Sequence, residues 1–450
     1  MPKIAFIGAG SMVFATNLIG DILTFDELAD SEIALMDIDE HRLTQTHRIA
    51  EAMVENENLD ATVHATLDRK TALEDADYVL NMINVGGTEP FENEIRIPEQ
   101  YGVKQAIGDT TGPGGIFRGL RTIPVVLDLA RDMEELCPDA LLLNYTNPMA
   151  ILCKAVFDAT DIEVVGLCHS VPHTAAAIAE YAEVPQSELD YWVAGINHMA
   201  WFLQCEHEGS SVYPELKEAY EDEETYQKDT VRFEMMKHFG AFPTESSHHM
   251  SEYIPYIRTD EATIETMSGT KFAERMPTAT YLEGWKARSA DRDNPDLDVN
   301  LDEVGIERSE EYASRLIHSL ETGTQRRFNL NVSNGTNAIE NLPEDACVEV
   351  PVYVDSSGLH PASVGELPRQ LAALDRQHST IYGLTVEGAL EGNREKIHQA
   401  VKLDPLSGAA CSLDELSQLT EELIEANSEY IPTLEWPSDS TVSESVPTTK

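Results

Sequence analysis

Short apolar segments alternate with longer amphipathic stretches through the first 170 residues of this chain. A strand of a parallel sheet is covered by helices on both faces, so its sequence is apolar throughout and a crossover must precede the next strand. We predict strands at residues 3–8, 32–37, 61–65, 78–84, 140–144 and 162–167. We predict helices that end near Leu23 and Met53, and two more at 118–136 and 149–158. This alternation predicts an α/β fold with a doubly wound parallel sheet.

The pattern changes after about residue 195. Helical periodicity is typical of four later stretches, at 213–240, 306–322, 388–403 and 413–428. A strand-rich piece at 346–354 and an acidic loop at 288–303 lie between them. We therefore predict a Rossmann-like domain over 1–195, a C-terminal α+β domain over 196–431, and a disordered tail over 432–450.

The charge balance is strongly acidic. The 450 residues include 80 aspartates and glutamates against 31 lysines and arginines, for a formal net charge of -49. Such a surface repels nucleic acids and anionic membranes, which excludes both classes of partner. Because the acidic residues are spread along the whole chain, we interpret them as adaptation to molar salt, where screening acts within about 3 Å. A disordered acidic protein is the alternative, but the apolar periodicity argues against it.

The cysteines and the first residues indicate the compartment. The six cysteines are scattered and form no CxxC pair, which is typical of a reducing compartment. The first residues (MPKIAFIG) lack the charged head and long apolar stretch of a signal peptide, and no apolar run approaches a membrane span. We expect a cytoplasmic protein.

A glycine turn follows the first predicted strand and opens a helix. Gly8, Gly10 and Ser11 form this turn, and the two glycines let a pyrophosphate approach the helix N-terminus. Val13 stands where the usual fingerprint has a third glycine, so the turn alone is a weak signal. Asp37 ends the second strand, where a carboxylate binds ribose hydroxyls and repels a 2′-phosphate. The pattern favours NAD over NADP, with a purely structural turn as the alternative.

Two more glycines follow the fourth predicted strand, in residues 84–90 (NVGGTEP). Their place at the carboxyl end of a strand suits a loop that lines the cofactor crevice, with Asn84 as a cofactor-binding residue. An ordinary loop is an equally good interpretation.

Three segments that end or follow apolar strands carry most of the reactive side chains: 144–150 (NYTNPMA), 164–174 (VVGLCHSVPHT) and 195–202 (GINHMAWF). Cys168 and His198 offer a thiolate and an imidazole, which together suit a metal site with positions open for substrate oxygens. Spacing alone is weak support, because a buried cysteine is usually a small apolar residue and a buried histidine is usually only hydrogen-bonded.

These three segments, together with 108–122 (GDTTGPGGIFRGLRT) and 244–256 (TESSHHMSEYIPY), resemble the α-galactosidase (melibiase) branch of glycoside hydrolase family 4. The similarity extends to about residue 430 and includes 342–354 (LPEDACVEVPVYV). It implies NAD, a divalent metal that is typically Mn²⁺, a fold related to lactate and malate dehydrogenases, and a homo-oligomer, either a dimer or a tetramer. Members of this family differ from glycosidases that use two carboxylates.

The resemblance also implies the reaction: NAD-dependent hydrolysis of α-galactosides by transient oxidation at C3, deprotonation at C2 and elimination at C1. By the matching motifs, Cys168 and His198 hold the metal and Asn147 hydrogen-bonds the sugar hydroxyls. A strand-end turn before a proline is the other interpretation of Asn147. Tyr253 is the expected base and Tyr256 the reserve, although either could instead be an interface aromatic.

One departure concerns the residue after Cys168. The phospho-glycosidase branch has an aspartate there as the acid, whereas this chain has His169, as the α-galactosidase branch does. His169 is therefore the expected acid for the leaving oxygen, or else it orients the metal ligands, and substrates without a 6-phosphate are favoured.

Four further polar residues of the matching motifs stay unassigned. Arg118 and Arg121 either bind substrate or cofactor or form salt bridges on a helix surface. His248 and His249 have no assigned role.

Two rival functions belong to other classes. A dehydrogenase of the lactate and malate type would release NADH, but the chain lacks the arginine and histidine arrangement that clamps a 2-hydroxy acid. A nucleotide-sensing binding protein would bind NAD without depending on Cys168 or His198. Within the resembled family, an α-galacturonidase or an α-glucosidase stays possible because few contacts set sugar specificity.

Overall fold

The computed structural model describes residues 1–292, 299–309 and 311–437. The strands in these residues are β1 (Lys3–Ile7), β2 (Glu32–Met36), β3 (Thr62–Thr66), β4 (Tyr78–Asn81), β5 (Leu141–Asn144), β6 (Val164–Gly166), β7 (Leu189–Ile196), β8 (Met199–His207), β9 (Ser210–Ser211), β10 (Phe242–Pro243), β11 (Arg326–Ser333), β12 (Cys347–Asp355) and β13 (Gly358–Pro361).

The α-helices in the same residues are α1 (Met12–Leu23), α2 (Glu40–Glu57), α3 (Arg69–Leu73), α4 (Thr88–Gln100), α5 (Gly112–Leu136), α6 (Met149–Ala159), α7 (Ser170–Tyr181), α8 (Tyr213–Glu221), α9 (Glu223–Tyr226), α10 (Thr230–Phe239), α11 (Ser247–Tyr253), α12 (Glu261–Met267), α13 (Thr280–Arg292), α14 (Ala313–Thr322), α15 (Arg369–Glu391), α16 (Arg394–Leu403), α17 (Pro405–Ala410) and α18 (Leu413–Ala426).

The first six strands form a parallel sheet in the order β3-β2-β1-β4-β5-β6. Phe6 of β1 pairs with Leu35 on one side and Leu80 on the other, and all three side chains are fully buried. Helices cover both faces, which is why the inner strands are largely apolar, whereas the edge strand β3 is mostly exposed. The doubly wound parallel sheet is confirmed, and each of the six predicted strands is present.

The second half of the chain extends the same sheet with antiparallel strands in the order β6-β11-β12-β7-β8-β10. Asn331 of β11 pairs with Gly166 of β6, and Glu349 of β12 pairs with Gly195 of β7. The predicted domain boundary after residue 195 falls within β7. The division into domains stays a prediction.

Three predicted helices differ from the structure. The stretch 213–240 is not one helix but three, because Asp222 caps α9 through the backbone N–H of Thr225 and Asp229 precedes α10. The stretch 388–403 spans the end of α15 and all of α16, separated by Gly392 with φ of 63°. The helix expected at 306–322 is α14, and it begins only at Ala313.

Parts of two further expectations lie outside the described residues. In the acidic loop 288–303, α13 continues to residue 292 and residues 293–298 are outside the description. In the tail 432–450, residues 438–450 are outside it, whereas Glu435 forms a bridge with Asn393. Among the described helices, none combines the length and the apolar character needed to cross a bilayer.

The carboxyl ends of the central parallel strands lie at one edge of the sheet. Asn81 and Asn144 are the last residues of β4 and β5; both are buried, and the Asn81 amide donates a 2.8 Å hydrogen bond to Asn144. The turns after β1, β4, β5 and β6 therefore meet around one crevice, which is where open α/β sheets bind ligands.

Candidate active site

The turn after β1 fits a dinucleotide. Gly8 has φ of 93°, and a Cβ there would lie 2.9 Å from the backbone of Met82. The Gly10 N–H donates a 2.7 Å hydrogen bond to the Asp37 carboxylate, and a Cβ on Gly10 would lie 2.7 Å from the same oxygen. Ser11 precedes α1, and its side chain forms no capping hydrogen bond. The first N–H groups of the helix are therefore not used by Ser11 and suit an anionic group. Close packing thus requires both glycines, Gly8 against the Met82 backbone and Gly10 against the Asp37 carboxylate.

The loop after β4 stands beside this turn. Asn84 is exposed, and Gly86 and Gly87 follow it with φ of 78° and 67°. The Thr146 hydroxyl donates a 3.2 Å hydrogen bond to the carbonyl of Ile83, which ties this loop to the one after β5. The role of Asn84 in binding a cofactor stays a prediction.

Cys168, His198 and Glu245 converge on one point. One ligand atom from each lies within 4.8 Å of the other two, and the His198 Nε2 is 3.4 Å from a Glu245 carboxylate oxygen. The first two residues are buried, and His198 has φ of 65°, a left-handed backbone that a histidine adopts at a cost. A thiolate, an imidazole and a carboxylate form a donor set that suits a divalent transition metal. Glu245 is a member that the sequence did not single out.

The electrostatics of this cluster also fit a cation. Burial, and then the nearby Glu245, raise the pKa of the Cys168 thiol to about 12. Burial alone would raise the pKa of Glu245, but His198, His249 and the Ser246 N–H lower it to about 2. The Glu245 carboxylate is therefore charged at neutral pH, whereas the Cys168 thiol is protonated. A bound cation would favour the ionised form of the thiol.

A second polar group lies next to the cluster. The Asn147 amide is 3.4 Å from the Asp109 carboxylate, and the Arg118 Nε donates a 3.1 Å hydrogen bond to the Asn147 carbonyl. Burial opposes ionisation of Asp109, but Arg118, His249 and His198 hold the pKa of this carboxyl below its usual value. The Asn147 Oδ1 is buried without a hydrogen-bond partner among the described residues. The group thus offers a charged acceptor and an unused amide oxygen, which suit sugar hydroxyls.

Glu252 fixes the loop that carries Asp109. Its carboxylate accepts hydrogen bonds from the backbone N–H groups of Ala106 at 2.6 Å, Ile107 at 2.7 Å and Gly108 at 3.0 Å. The side chain is buried and precedes Tyr253 on α11, so one short helix holds both this loop and the predicted base. Sequence reasoning missed Glu252 and Asp109, although both belong to the segments that carry the resemblance.

Tyr253 is brought to the cluster and Tyr256 is not. The Tyr253 ring lies 6.5 Å from the His198 ring, is fully buried, and its hydroxyl forms no well-aligned hydrogen bond with a described residue. Burial, then Tyr382, Asp109 and Glu245, raise the pKa of Tyr253 well above 10. Tyr256 is 55% exposed and stacks on Phe239.

The other histidines of the motifs take separate places. The His249 ring lies 4.7 Å from that of His198, so this residue borders the cluster. Burial and His249 lower the pKa of His248 to about 3, which leaves it neutral. The His169 Nδ1 lies 3.2 Å from a Glu311 carboxylate oxygen.

Arg121 has a structural role. It forms a fully buried ion pair with Glu94 at 2.6 Å and donates to the Val85 carbonyl, so it braces the loop after β4 from within the core. The expectations for Arg121 were binding of substrate or cofactor, or a salt bridge on the helix surface; the observed contact is instead an ion pair within the core.

Two family models match nearly the whole chain. Family 4 glycosyl hydrolase matches residues 3–184, and Family 4 glycosyl hydrolase C-terminal domain matches residues 193–407. Among curated relatives, an alpha-galactosidase of Bacillus subtilis is 41% identical, with 96% of this chain and 99% of the relative covered. An alpha-galactosidase of Rhizobium meliloti is 38% identical, with 96% and 89% covered.

Solved structures share the fold. A 6-phospho-beta glucosidase from Thermotoga maritima, solved with manganese, NAD⁺ and glucose-6-phosphate, has a TM-score of 0.77 at 24% identity, over 96% of this chain and 100% of that one. Malate dehydrogenase from Plasmodium falciparum has a TM-score of 0.51 at 13% identity, over 87% and 99%, which confirms the predicted relation in fold to dehydrogenases. Because the family models cover both halves and the relatives are aligned almost end to end, the chain belongs to family 4 of the glycosyl hydrolases.

Proposed function

We propose that this enzyme hydrolyses α-galactosides with the help of NAD and a divalent metal ion, most simply Mn²⁺. The observation that carries the proposal is the Cys168, His198 and Glu245 cluster, whose donor atoms lie within 4.8 Å of one another at the same sheet edge as the glycine turn. The two α-galactosidase relatives, at 41% and 38% identity over 96% of the chain, support the sugar.

The chain's own residues would hold NAD and the metal ion, the metal ion at the cluster of Cys168, His198 and Glu245. Gly8, Gly10 and Ser11 would take the pyrophosphate and Asp37 the ribose, once its carboxylate exchanges the Gly10 N–H for ribose hydroxyls. When bound, NAD supplies a hydride acceptor for sugar C3 and the metal ion supplies a Lewis acid beside C2.

The remaining chemistry belongs to protein side chains. Asn147 and Asp109 bind and orient the sugar hydroxyls, for which the Asn147 Oδ1 has an unused acceptor site. Tyr253, as the phenolate, takes the C2 proton at its oxygen. Because burial raises the pKa of Tyr253, formation of the phenolate needs a nearby positive charge, which the bound metal ion would supply. His169 gives a proton to the leaving oxygen as the C1–O bond breaks.

A panel of nitrophenyl glycosides, assayed with and without NAD and Mn²⁺ in molar KCl, tests the proposal. We expect cleavage of the α-galactoside only when both additions are present, with no net formation of NADH. Stoichiometric NADH would instead indicate a dehydrogenase. Preference for an α-galacturonide or an α-glucoside would move the assignment within the family, where an alpha-galacturonidase of Lachnoclostridium phytofermentans is 28% identical.

A matched pair of variants links the activity to the cluster. Cys168→Ser should lose the Mn²⁺-dependent activity and keep NAD affinity, because the glycine turn lies outside the cluster. Cys411→Ser, at a partly buried cysteine that contacts the Tyr101 carbonyl, should keep both. Undiminished activity of the Cys168 variant would remove the proposed ligand.

A further inference from the structure

A partly buried carboxylate contacts the proposed acid. The Glu311 Oε1 lies 3.2 Å from the His169 Nδ1, and the Glu311 side chain is 14% exposed while that of His169 is 37% exposed. The Glu311 Oε1 and the His169 Nδ1 are at ion-pair distance but are not aligned as a hydrogen bond. The Glu311 Oε2 is a buried atom with no aligned partner among the described residues. The carboxylate therefore contacts one ring nitrogen and leaves Nε2 as the nitrogen that can act on a substrate.

Residues on both sides of Glu311, Ser309 and Tyr312, are anchored to the catalytic elements. The Ser309 hydroxyl donates a 2.6 Å hydrogen bond to Asp21, a buried residue of α1, the helix that follows the glycine turn. The Tyr312 hydroxyl accepts a hydrogen bond from the Cys168 N–H at 2.8 Å and donates one to the Cys168 carbonyl at 2.9 Å. Glu311 is thus fixed relative to both the cofactor turn and the segment that contains His169.

Aromatic rings complete the setting of the histidine. The His169 ring lies 6.2 Å from the Tyr145 ring and 6.4 Å from the Phe14 ring, which belong to the loop after β5 and to α1. These rings limit the directions in which the imidazole can turn. The Glu311 oxygen 3.2 Å from Nδ1 favours the ring orientation and tautomer in which an Nδ1–H faces it, as carboxylates do for histidines in other catalytic sites.

We propose that Glu311 is a positioning residue that holds His169 for proton donation to the leaving group. The inference rests on the proposed function. As the C1–O bond breaks, its electron pair goes to the leaving oxygen, which takes the proton from Nε2 of protonated His169. The ring becomes neutral with its Nδ1–H directed at the Glu311 carboxylate, and water restores the proton after product release. Glu311 touches no reacting atom.

The leaving group separates this role from a merely structural one. A good leaving group departs without a proton, whereas a sugar alkoxide needs one. Loss of positioning should therefore reduce cleavage of melibiose much more than cleavage of para-nitrophenyl α-galactoside. A structural defect would reduce both equally.

The experiment compares Glu311→Gln with Glu307→Gln, an exposed glutamate of the same segment, in the full chain with saturating NAD and Mn²⁺. For Glu311→Gln we expect kcat on melibiose to fall about 100-fold and on the nitrophenyl substrate by less than about 5-fold, within the range of general acid catalysis. Glu307→Gln should leave both unchanged. The same contrast is expected for His169→Asn, and the double variant should lose no more than His169→Asn does.

Each result decides one point. Equal losses on both substrates, or no loss on either, would overturn the role of Glu311, and so would an additive double variant. If Glu311→Gln does not fold, Glu311→Asp replaces it, and a larger loss of cleavage on melibiose than on the nitrophenyl substrate supports the proposal. A wild-type protein that cleaves no α-galactoside would refute the proposed substrate. The leaving-group contrast on whichever glycoside it does cleave would still test Glu311.

Discussion

The Nε2 atom of His198 lies 3.4 Å from a carboxylate oxygen of Glu245, and both side chains point at the sulfur of Cys168. His198 follows β7 in a left-handed backbone conformation, while Glu245 comes between β10 and α11. Two distant parts of the chain are thus held in contact around Cys168. A cation bound there would stabilise the negative charges of the carboxylate and the thiolate.

The contact predicts a third metal ligand. Glu245→Gln should weaken Mn²⁺ binding by about 10- to 100-fold, because a neutral amide is a poorer ligand than a carboxylate and even outer partners of metal ligands have effects of this size. Titration calorimetry with Mn²⁺ on the whole chain measures the affinity. Glu218→Gln, at an exposed glutamate on α8, is the control and should bind like the wild type. Unchanged affinity of the Glu245 variant would mean that two residues suffice.

The glycine turn predicts a selective loss of NAD binding. In Gly10→Ala the new methyl would lie 2.7 Å from the Asp37 carboxylate, so either the turn or the carboxylate must move. We expect NAD affinity to fall at least about tenfold, which corresponds to about 1.4 kcal/mol, while Mn²⁺ affinity stays the same. Gly408→Ala, where a methyl meets open space, is the matched control. Equal NAD affinity of the two variants would contradict the assignment of the turn.

We expect Glu252, which lies beside the candidate active site, to contribute strongly to the free energy of unfolding. Its carboxylate accepts three backbone hydrogen bonds from residues 106–108, and an amide would set an NH₂ group against one or more of these donors. Glu252→Gln should lower the free energy of unfolding by about 3 kcal/mol, the size expected for charge-assisted bonds left unmade. Urea unfolding measures the change, with exposed Glu265→Gln as the control. A change below about 1 kcal/mol would contradict the role of Glu252 as the anchor of this loop.

Asp404 predicts a pH dependence of stability. Burial raises the pKa of this carboxyl from 3.8 to about 6, and the folded protein therefore binds the proton more tightly than the unfolded chain. The resulting stabilisation is fully present below about pH 4 and is lost as pH rises through about 6.

The variant Asp404→Asn removes this titration and keeps an acceptor for the N–H of Ser407, which Asp404 caps at 2.7 Å. Relative to the wild type it should gain about 2 to 3 kcal/mol near pH 8 and little near pH 4. Thermal unfolding at both pH values, with exposed Asp60→Asn as the control, measures the difference. A gain of the same size at both values would exclude the titration of Asp404 as its cause.

The sequence predicted the parallel half of the fold because its strands β1, β2, β4, β5 and β6 are buried on both faces and are largely apolar, whereas the edge strand β3 is mostly exposed. It predicted the second half less well. Asp222 and Asp229 divide the stretch 213–240, and in a chain with 80 acidic residues a capping aspartate resembles any surface residue.

Because the chain is so acidic, the sequence did not indicate which of its glutamates belong to the candidate active site. Cys168 and His198 stand out because cysteines and histidines are few, and the structure brings them together as the motifs implied. Glu245, Glu252 and Glu311 carry no local signal among so many carboxylates. Only burial and contacts across the fold distinguish them.

The proposed hydrolysis requires the C2–H bond of the sugar to break. Cleavage of an α-galactoside in deuterated water, followed by mass and NMR analysis of the released sugar, tests it directly. We expect deuterium at C2, delivered when the base returns a solvent-derived deuteron. Galactose that keeps its original hydrogen at C2 throughout full hydrolysis would contradict it.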